Sequence, residues 1–381
     1  MTIFFAEIFA PDALLLWLFL AAILAVLLVG AKCAPKGAWQ PAPLGREGAK
    51  CIQGICAVAI ILHHACQAIE NAGMNPGALL LFRDAGVLFV AVFFFFSGYG
   101  LLKSVQTKPD YLKGFLRHRL LTVLIPFWVC TVIFGLAGMA AGEGVPLWVF
   151  AVELTGWWPA NDHMWYVIEL VLLYVLFWAV FRRAKNLGRA LAGLSVPIIA
   201  FVLAGPLFGH GGMWFQGEWW YNTTLLFLAG AWMAYAEQPV TAFLRRHFVP
   251  LLCGFAVGFV ALFAATSYVL TAWSYWGTLA GAYGCLAVQE PMVLCWVALI
   301  VTILQKVRFE NAASRFLGEI GLEIYLLHNL FLRALPIGQN GFFYVLLTEF
   351  GAILLAVGVH WLDAKLTARL AGKNRAPAQK V

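Results

Sequence analysis

Charged side chains are scarce in this sequence, and their scarcity excludes an ordinary soluble protein. Asp, Glu, Lys and Arg together make up 11% of the 381 residues, whereas hydrophobic residues make up 63%. The mean hydropathy is +0.85. No soluble core of this length needs so much apolar surface, so the composition indicates a membrane protein.

Several other patterns are missing. We expect no cleavable signal peptide, because no basic start and no small-residue cleavage site flank the first apolar run. The eight cysteines form no Cys-x-x-Cys pair and no histidine cluster shows zinc spacing, so the sequence predicts neither a disulfide framework nor a metal site. A Gly-rich phosphate loop and an internal repeat are also absent, and no apolar run alternates like a barrel strand.

Apolar runs of about 20 residues dominate the chain, and each is long enough to cross a bilayer as a helix. The sequence therefore predicts an all-α, polytopic membrane bundle of about eleven transmembrane helices. The runs are 13–30, 51–70, 84–101, 120–141, 164–181, 190–208, 222–237, 249–270, 285–304, 316–333 and 342–362.

The basic residues predict the orientation of this bundle. All but Arg83 and Arg333 of the 25 Lys and Arg fall in alternate connections or in the tail. This pattern follows the positive-inside rule and places the N-terminus outside and the C-terminus in the cytoplasm. The net charge of +7 then faces anionic lipid, and nucleic acid is not an expected partner.

The pair His63-His64 lies inside the apolar run 51–70. An ionisable residue within a membrane helix marks a functional site by default, and imidazole exchanges protons near neutral pH. The predicted topology brings further polar groups to the same outer depth, which favours a common cavity. Structural hydrogen bonds are the alternative for any one of them. These groups are Arg83, Asp84, Glu169, Gln289, Glu290, His328, Asn329 and Glu349.

On the predicted cytoplasmic side, Ser97-Gly-Tyr99-Gly ends an apolar run, and a basic stretch containing Arg117, His118 and Arg119 follows. Such cations could hold a polyanion through charge-assisted hydrogen bonds. Topology and lipid headgroups explain the same charges equally well.

Five segments, in order, resemble those of the acyltransferase-3 family of integral membrane acyltransferases. They are Ile52–Ala65 (IQGICAVAIILHHA), Gly86–Tyr99 (GVLFVAVFFFFSGY), Arg119–Pro126 (RLLTVLIP), Met164–Glu169 (MWYVIE) and Leu317–His328 (LGEIGLEIYLLH). The chain departs from the family pattern at Gln53 and Thr122, where arginine is common, and at Gly321, where serine is common.

The resemblance implies three segments. Residues 1–50 form a leading transmembrane helix and a basic linker, residues 51–362 form a ten-helix acyltransferase core, and residues 363–381 form a basic cytoplasmic tail.

The resemblance also implies an enzyme that moves an acyl group, commonly acetyl, from cytoplasmic acyl-CoA to a hydroxyl of a cell-envelope glycan or its lipid-linked precursor. The family's first-helix histidine falls on His64. We expect His64 to act as a general base with Glu169 or Asp84 orienting its ring. An acyl-histidine intermediate is the alternative. Acyl-CoA is a co-substrate, and no bound cofactor is expected.

The remaining candidates surround these groups. Arg117, Arg119, Ser97 and Tyr99 are expected to bind the donor. Trp158 and Trp220 lie in predicted outer loops, where they serve either as a sugar-stacking platform or as part of an aromatic belt. Residues expected to line the acceptor cavity are His63, Trp165, Tyr166, His328, Trp158 and Trp220.

Two other classes of function stay open. One is a secondary transporter, which usually shows an internal repeat. The other is a non-catalytic exporter or sensor built on the same helices. The expected location is the bacterial cytoplasmic membrane, with membrane lipids, acyl-CoA and a glycan or lipid-linked sugar as partners.

Overall fold

The computed structural model describes residues 14–212, 214–273, 275–338 and 341–370, and this part of the chain is built almost entirely of α-helices. The predicted all-α membrane fold is confirmed. The start of the predicted leading segment and the end of the predicted tail lie outside the described residues.

The helices are α1 (Leu14–Leu28), α2 (Arg46–Asn71), α3 (Gly86–Thr107), α4 (Phe115–Ala140), α5 (Leu147–Thr155), α6 (Trp165–Phe181), α7 (Leu187–Ala204), α8 (Leu225–Tyr235), α9 (Glu237–Arg246), α10 (Phe248–Ala272), α11 (Leu279–Leu304), α12 (Ala312–Glu319), α13 (Gly321–Ala334) and α14 (Phe342–Leu370). Two strands, β1 (Ala31–Cys33) and β2 (Val307–Phe309), pair antiparallel. Short 3₁₀ turns cover Gly77–Phe82, Asp162–Met164, Gly205–Leu207 and Glu218–Trp220.

Among the described helices, 8 are long and apolar enough to cross a membrane, counting α6 with the 3₁₀ turn before it and α7 with the one after it. They are α2, α3, α4, α6, α7, α10, α11 and α14. The other three predicted spans are shorter. Helix α1 has 15 residues and α8 has 11. The predicted span 316–333 is divided at Ile320 into α12 and α13. A span needs about 20 residues, so the count of eleven and the orientation stay predictions.

The described chain divides into two compact units. Unit 1 comprises residues 14–109 and 183–319, and unit 2 comprises residues 110–182 and 320–370. In unit 1, α2 packs against α3 and α12, α3 packs against α8, and α10 packs against α11. In unit 2, α14 packs against α13 and α4, and α4 packs against α6. The predicted boundaries at residues 50 and 362 fall inside α2 and α14, and the predicted division itself stays a prediction.

Two pairs of glycines allow helices of unit 1 to pack backbone against backbone. A Cβ atom on Gly54 of α2 would collide with a carbonyl oxygen of α12, and one on Gly318 of α12 would collide with a carbonyl oxygen of α2. Gly98 of α3 and Gly230 of α8 form the same reciprocal contact. Small residues commonly create such close crossings between membrane helices. These two crossings fix the position of α2 and α3, which carry the histidine pair and the Ser97–Tyr99 segment.

The predicted basic linker between α1 and α2 contacts other parts of unit 1. Strand β1 pairs with β2, so that Lys32 lies opposite Arg308. Lys306 places its Nζ 4.1 Å from the centre of the Trp39 ring, and Arg245 donates a hydrogen bond to the Gln40 carbonyl at 2.7 Å. Part of the basic charge of this region therefore serves packing.

Candidate active site

The two adjacent histidines of α2 have different surroundings. His63 is buried, whereas His64 is half-buried. Their ring centres lie 4.7 Å apart, with an angle of 58° between the rings. Successive helical residues point about 100° apart, so the two rings face different sides of α2. One histidine is therefore packed and the other is more accessible.

His63 is held by the segment that joins α2 to α3. Gly73, just beyond α2, has a φ of +72°, and the chain turns back to pack the 3₁₀ turn Gly77–Phe82 against α2. The Nδ1–H of His63 donates to the carbonyl oxygen of Phe82 at 2.7 Å. A Cβ atom at Gly86, the first residue of α3, would overlap the ring. His63 thus fastens α2 to the start of α3.

His64 has the hydrogen bonding expected of a general base. Its Nδ1 lies 3.2 Å from the Oε1 atom of Gln67, almost one turn further along α2. An amide oxygen only accepts hydrogen bonds, so Nδ1 carries the proton and Nε2 carries the lone pair. Imidazole in this tautomer can take a proton from a hydroxyl at Nε2.

The two carboxylates predicted to orient His64 lie just before α3 and in α6. Asp84 accepts a hydrogen bond from the Ser267 hydroxyl of α10 at 2.7 Å. Glu169 is buried in α6 of unit 2. Gln67 is a further partner of His64, which the sequence did not predict. The orienting roles of Asp84 and Glu169 stay predictions.

The predicted donor-binding residues of α3 lie beside α9. Ser97 is half-buried. The Tyr99 hydroxyl donates to Glu237 Oε1 at 2.7 Å, and Lys103 donates to Glu237 Oε2 at 2.8 Å. Glu237 is the first residue of α9, so Tyr99 and Lys103 both hold the start of that helix. Sequence reasoning missed Glu237, because no motif marks it.

The other two predicted donor-binding residues, Arg117 and Arg119, lie at the start of α4 in unit 2. Arg119 is half-buried and donates to the Tyr111 hydroxyl, its Nε at 2.7 Å from that oxygen. Arg117 is exposed and donates to the carbonyl oxygen of Leu370 at the end of α14. Guanidinium groups in such positions suit the recognition of phosphate.

A second polar cluster lies inside unit 2 and includes the predicted cavity residue His328. His328 is fully buried, and its Nδ1–H donates to the carbonyl oxygen of Tyr325 at 2.7 Å. Its ring meets that of His163 edge to face, with centres 4.8 Å apart. Sequence reasoning gave His163 no role. The adjacent Met164-Trp-Tyr motif was the available signal.

Three other predicted residues of unit 2, Trp165, Tyr166 and Glu169, are all buried in α6. The Tyr166 ring contacts Trp165 and Tyr325, with ring centres 6.2 Å and 5.5 Å away. The predicted cavity residues of α6 therefore form one aromatic group with Tyr325 of α13, three residues before His328.

The predicted tryptophan platform divides into exposed and buried members. Trp158 is 43% exposed, whereas Trp220 is 2% exposed. Trp220 packs against the rings of Trp214 and Phe215 at 5.6 Å and 5.5 Å. Only Trp158 of this pair presents a broad surface that could stack on a sugar.

Next to Trp220, Glu218 is buried in unit 1 and accepts hydrogen bonds from the Tyr275 hydroxyl and, at 3.3 Å, from Gln289 Nε2. Burial raises the pKa of Glu218 above its ordinary value, and the Asp84 carboxylate raises it further. The hydrogen bonds from Tyr275 and Gln289 oppose this shift. The protonation of Glu218 is therefore coupled to its packing against Tyr275 and Gln289.

Comparison with known proteins identifies the class. A family model described as an acyltransferase domain matches residues 47–362, which is most of the chain. The chain therefore belongs to the acyltransferase-3 family. It is a multi-pass membrane acyltransferase, an enzyme that transfers acyl groups other than aminoacyl groups. Searches among curated proteins and among solved structures gave no match.

Proposed function

We propose that this protein is an O-acyltransferase of the bacterial cytoplasmic membrane. It moves an acetyl group from cytoplasmic acetyl-CoA to a hydroxyl of a cell-envelope glycan or its lipid-linked precursor. The observation that carries the proposal is the hydrogen bond between His64 Nδ1 and Gln67 Oε1 at 3.2 Å, which places the lone pair of His64 on Nε2. That arrangement supplies a base inside a helix of the matched family region.

In the proposed reaction, Nε2 of His64 takes the proton of the acceptor hydroxyl while the hydroxyl oxygen attacks the thioester carbonyl carbon. The carbon–sulfur bond then breaks, and the sulfur of coenzyme A leaves as a thiolate. The imidazolium returns the proton to this sulfur, which restores His64. Gln67 holds the ring throughout, since it accepts from the nitrogen that does not react.

The basic residues at the start of α4 are proposed to bind the phosphates of the donor. Tyr111 accepts a hydrogen bond from the guanidinium of Arg119 and so fixes its position. The side chain then loses less conformational entropy when a phosphate binds. Arg117 is exposed, so the other N–H groups of its guanidinium can donate hydrogen bonds to an anion. Ser97 and Tyr99 are proposed to contact the donor from α3, with Tyr99 fixed by Glu237.

The acceptor is proposed to stack on Trp158, because that ring is exposed. His63, Trp165, Tyr166, His328 and Trp220, which are buried, are proposed to contribute to the acceptor cavity. A polar sugar would need exposed aromatic faces and adjacent hydrogen-bonding groups, and the segment around Trp158 contains the exposed Asp162.

The proposal is tested by acyl transfer from radiolabelled acetyl-CoA in nanodiscs, with an envelope glycan extract as the acceptor. Replacing His64 by Ala should lower the turnover by about 10²- to 10⁴-fold, the usual contribution of a general base. His247→Ala, at an exposed histidine of the cytoplasmic side of the predicted topology, is the matched control. Full transfer by folded His64→Ala protein would exclude His64 as the base. Glycan mass spectrometry then identifies the acyl group and the acceptor.

A further inference from the structure

His163 and His328 of unit 2 are arranged like a pair of metal ligands. His163 lies in the 3₁₀ turn that precedes α6, and His328 lies in α13. One ring nitrogen of each histidine lies within 4.8 Å of a ring nitrogen of the other. The two rings are nearly perpendicular, at 84°.

Each ring forms a hydrogen bond through its Nδ1 atom. The Nδ1–H of His328 donates to the Tyr325 carbonyl at 2.7 Å, and that of His163 donates to Asn161 Oδ1 at 3.0 Å. Neither acceptor can donate a proton, so each Nδ1 carries the hydrogen. Histidines that ligate metals almost always hold the other ring N–H on a carbonyl or carboxylate in this way.

Asn161 fixes this arrangement. Its Oδ1 accepts from the His163 backbone N–H at 2.9 Å and from Asn329 Nδ2 at 2.7 Å, in addition to the His163 ring. Its Nδ2 donates to the Leu326 carbonyl at 3.1 Å. Asn161 thus connects the 3₁₀ turn to α13 on both sides of the pair. Simple packing of two histidine rings in a protein core does not require a buried amide that sets the tautomer and orientation of one ring.

We propose that His163 and His328 bind one divalent transition-metal ion through Nε2, and that Zn²⁺ is the best fit. Neutral imidazole is a preferred ligand of Zn²⁺, Cu²⁺ and Ni²⁺. Zinc–nitrogen bonds of about 2.0–2.1 Å would draw the two nitrogens to about 3.3 Å, which small side-chain rotations can achieve. Water, a substrate oxygen or a further side chain would complete the coordination. Zinc binding by this pair is tested without using the acyl-transfer activity.

The test measures zinc in the full-length protein, purified in detergent with a tag that lacks histidine. Because Cys33 and Cys253 are exposed, they are alkylated before the protein is equilibrated with Zn²⁺ and gel-filtered. Mass spectrometry of the metal should find about one zinc per chain in the wild type, and His163→Ala and His328→Ala should each lose it. His247→Ala, at an exposed histidine, should retain the zinc.

Two further measurements cover the case in which a histidine variant does not fold. Asn161→Ala keeps both ligands and should weaken zinc binding about 10- to 100-fold, the usual effect of losing a supporting group. Co²⁺-loaded wild type should show visible bands of imidazole ligation without thiolate charge transfer. Wild type that binds no zinc, or equal zinc in wild type and in both folded histidine variants, would overturn the proposal.

Discussion

The imidazole of His63 occupies the space that a side chain at position 86 would need. His63 comes from α2 and Gly86 begins α3, so the absence of one Cβ atom lets the ring lie against the start of the next helix. The hydrogen bond from His63 to the Phe82 carbonyl then closes the same contact from the other side. This contact fixes the helix face that presents His64.

Gly86→Ala is therefore expected to destabilise the protein by about 1–3 kcal/mol, the usual cost of overpacking. The matched control is Gly100→Ala on the same helix, where an added Cβ atom meets no other atom within 4 Å. That change should be neutral or slightly stabilising, because alanine favours a helix over glycine. Denaturant unfolding of the two purified variants measures the difference, and equal stabilities would contradict the packing described for His63.

Gln67 is expected to tune His64. Gln67→Ala removes one hydrogen bond to the ring and should lower turnover about tenfold. Gln67→Glu places a carboxylate on Nδ1, which favours the charged imidazolium, so the acidic limb of the pH–rate profile should move to higher pH. Gln106→Ala, at a glutamine of α3 bonded to the Ala234 carbonyl, is the control. Unchanged profiles for both Gln67 variants would remove its orienting role.

Arg119 is expected to affect the donor and not the acceptor. Arg119→Ala should raise the KM for acyl-CoA with little change in kcat, and added salt should weaken wild-type donor binding. Tyr111→Phe removes the oxygen that accepts from Arg119 and should raise the same KM by a smaller factor. Lys185→Ala, an exposed cation of another predicted cytoplasmic connection, controls for charge. If the KM for acyl-CoA is identical in wild type and Arg119→Ala, Arg119 does not bind the donor and its charge serves only the membrane topology.

Glu218 is expected to make stability fall as the pH rises. Burial raises its pKa above the ordinary value of 4.5, so the folded protein keeps a proton that the unfolded chain has lost. The unfolding free energy therefore decreases between the ordinary and the raised pKa. The unfolding free energy of the wild type minus that of Glu218→Gln should fall as the pH rises across this window. Glu143→Gln, at an exposed side chain, is the control for removing a carboxyl group. If the unfolding free energy of the wild type minus that of Glu218→Gln instead rises with pH, the raised pKa of Glu218 is contradicted.

The predicted orientation is tested by cysteine labelling of intact spheroplasts with an impermeant reagent. Asp162 and Lys108 are both exposed, so accessibility within the protein does not separate them. Asp162→Cys should react and Lys108→Cys should not, because the charge pattern places them on opposite sides. Cys33 and Cys253 are exposed and should be replaced by Ser in the parent. The reverse labelling would place the Arg117–Arg119 region away from cytoplasmic acyl-CoA.

The sequence predicted the parts of this protein that depend on local pattern. Apolar runs predicted the helices, and α2 and α3 cover most of the runs 51–70 and 84–101. Helix α2 begins five residues before its run, and α3 ends six residues after its run. The family motifs predicted the class of enzyme, which the match over residues 47–362 confirms.

Contacts between distant residues could not be predicted in the same way. Nothing near Tyr99 in the sequence points to Glu237, and nothing near His163 points to His328, because each pairing depends on how separate helices pack. The split of the run 316–333 at Ile320 was also missed, since hydropathy does not register the tight crossing at Gly318. Gln67 could have been found from its helical spacing to His64.

The reciprocal contact of Gly54 and Gly318 has a consequence for biogenesis. Helix α2 leaves the ribosome early, whereas α12 follows only after most of the chain has been synthesised. The surface of α2 at Gly54 therefore contacts lipid or an insertion factor until α12 has been synthesised. Helix α2, which carries the histidine pair, can reach its final position only near the end of translation. A truncated chain that stops before α12 would therefore enter the membrane with α2 not packed in its final position.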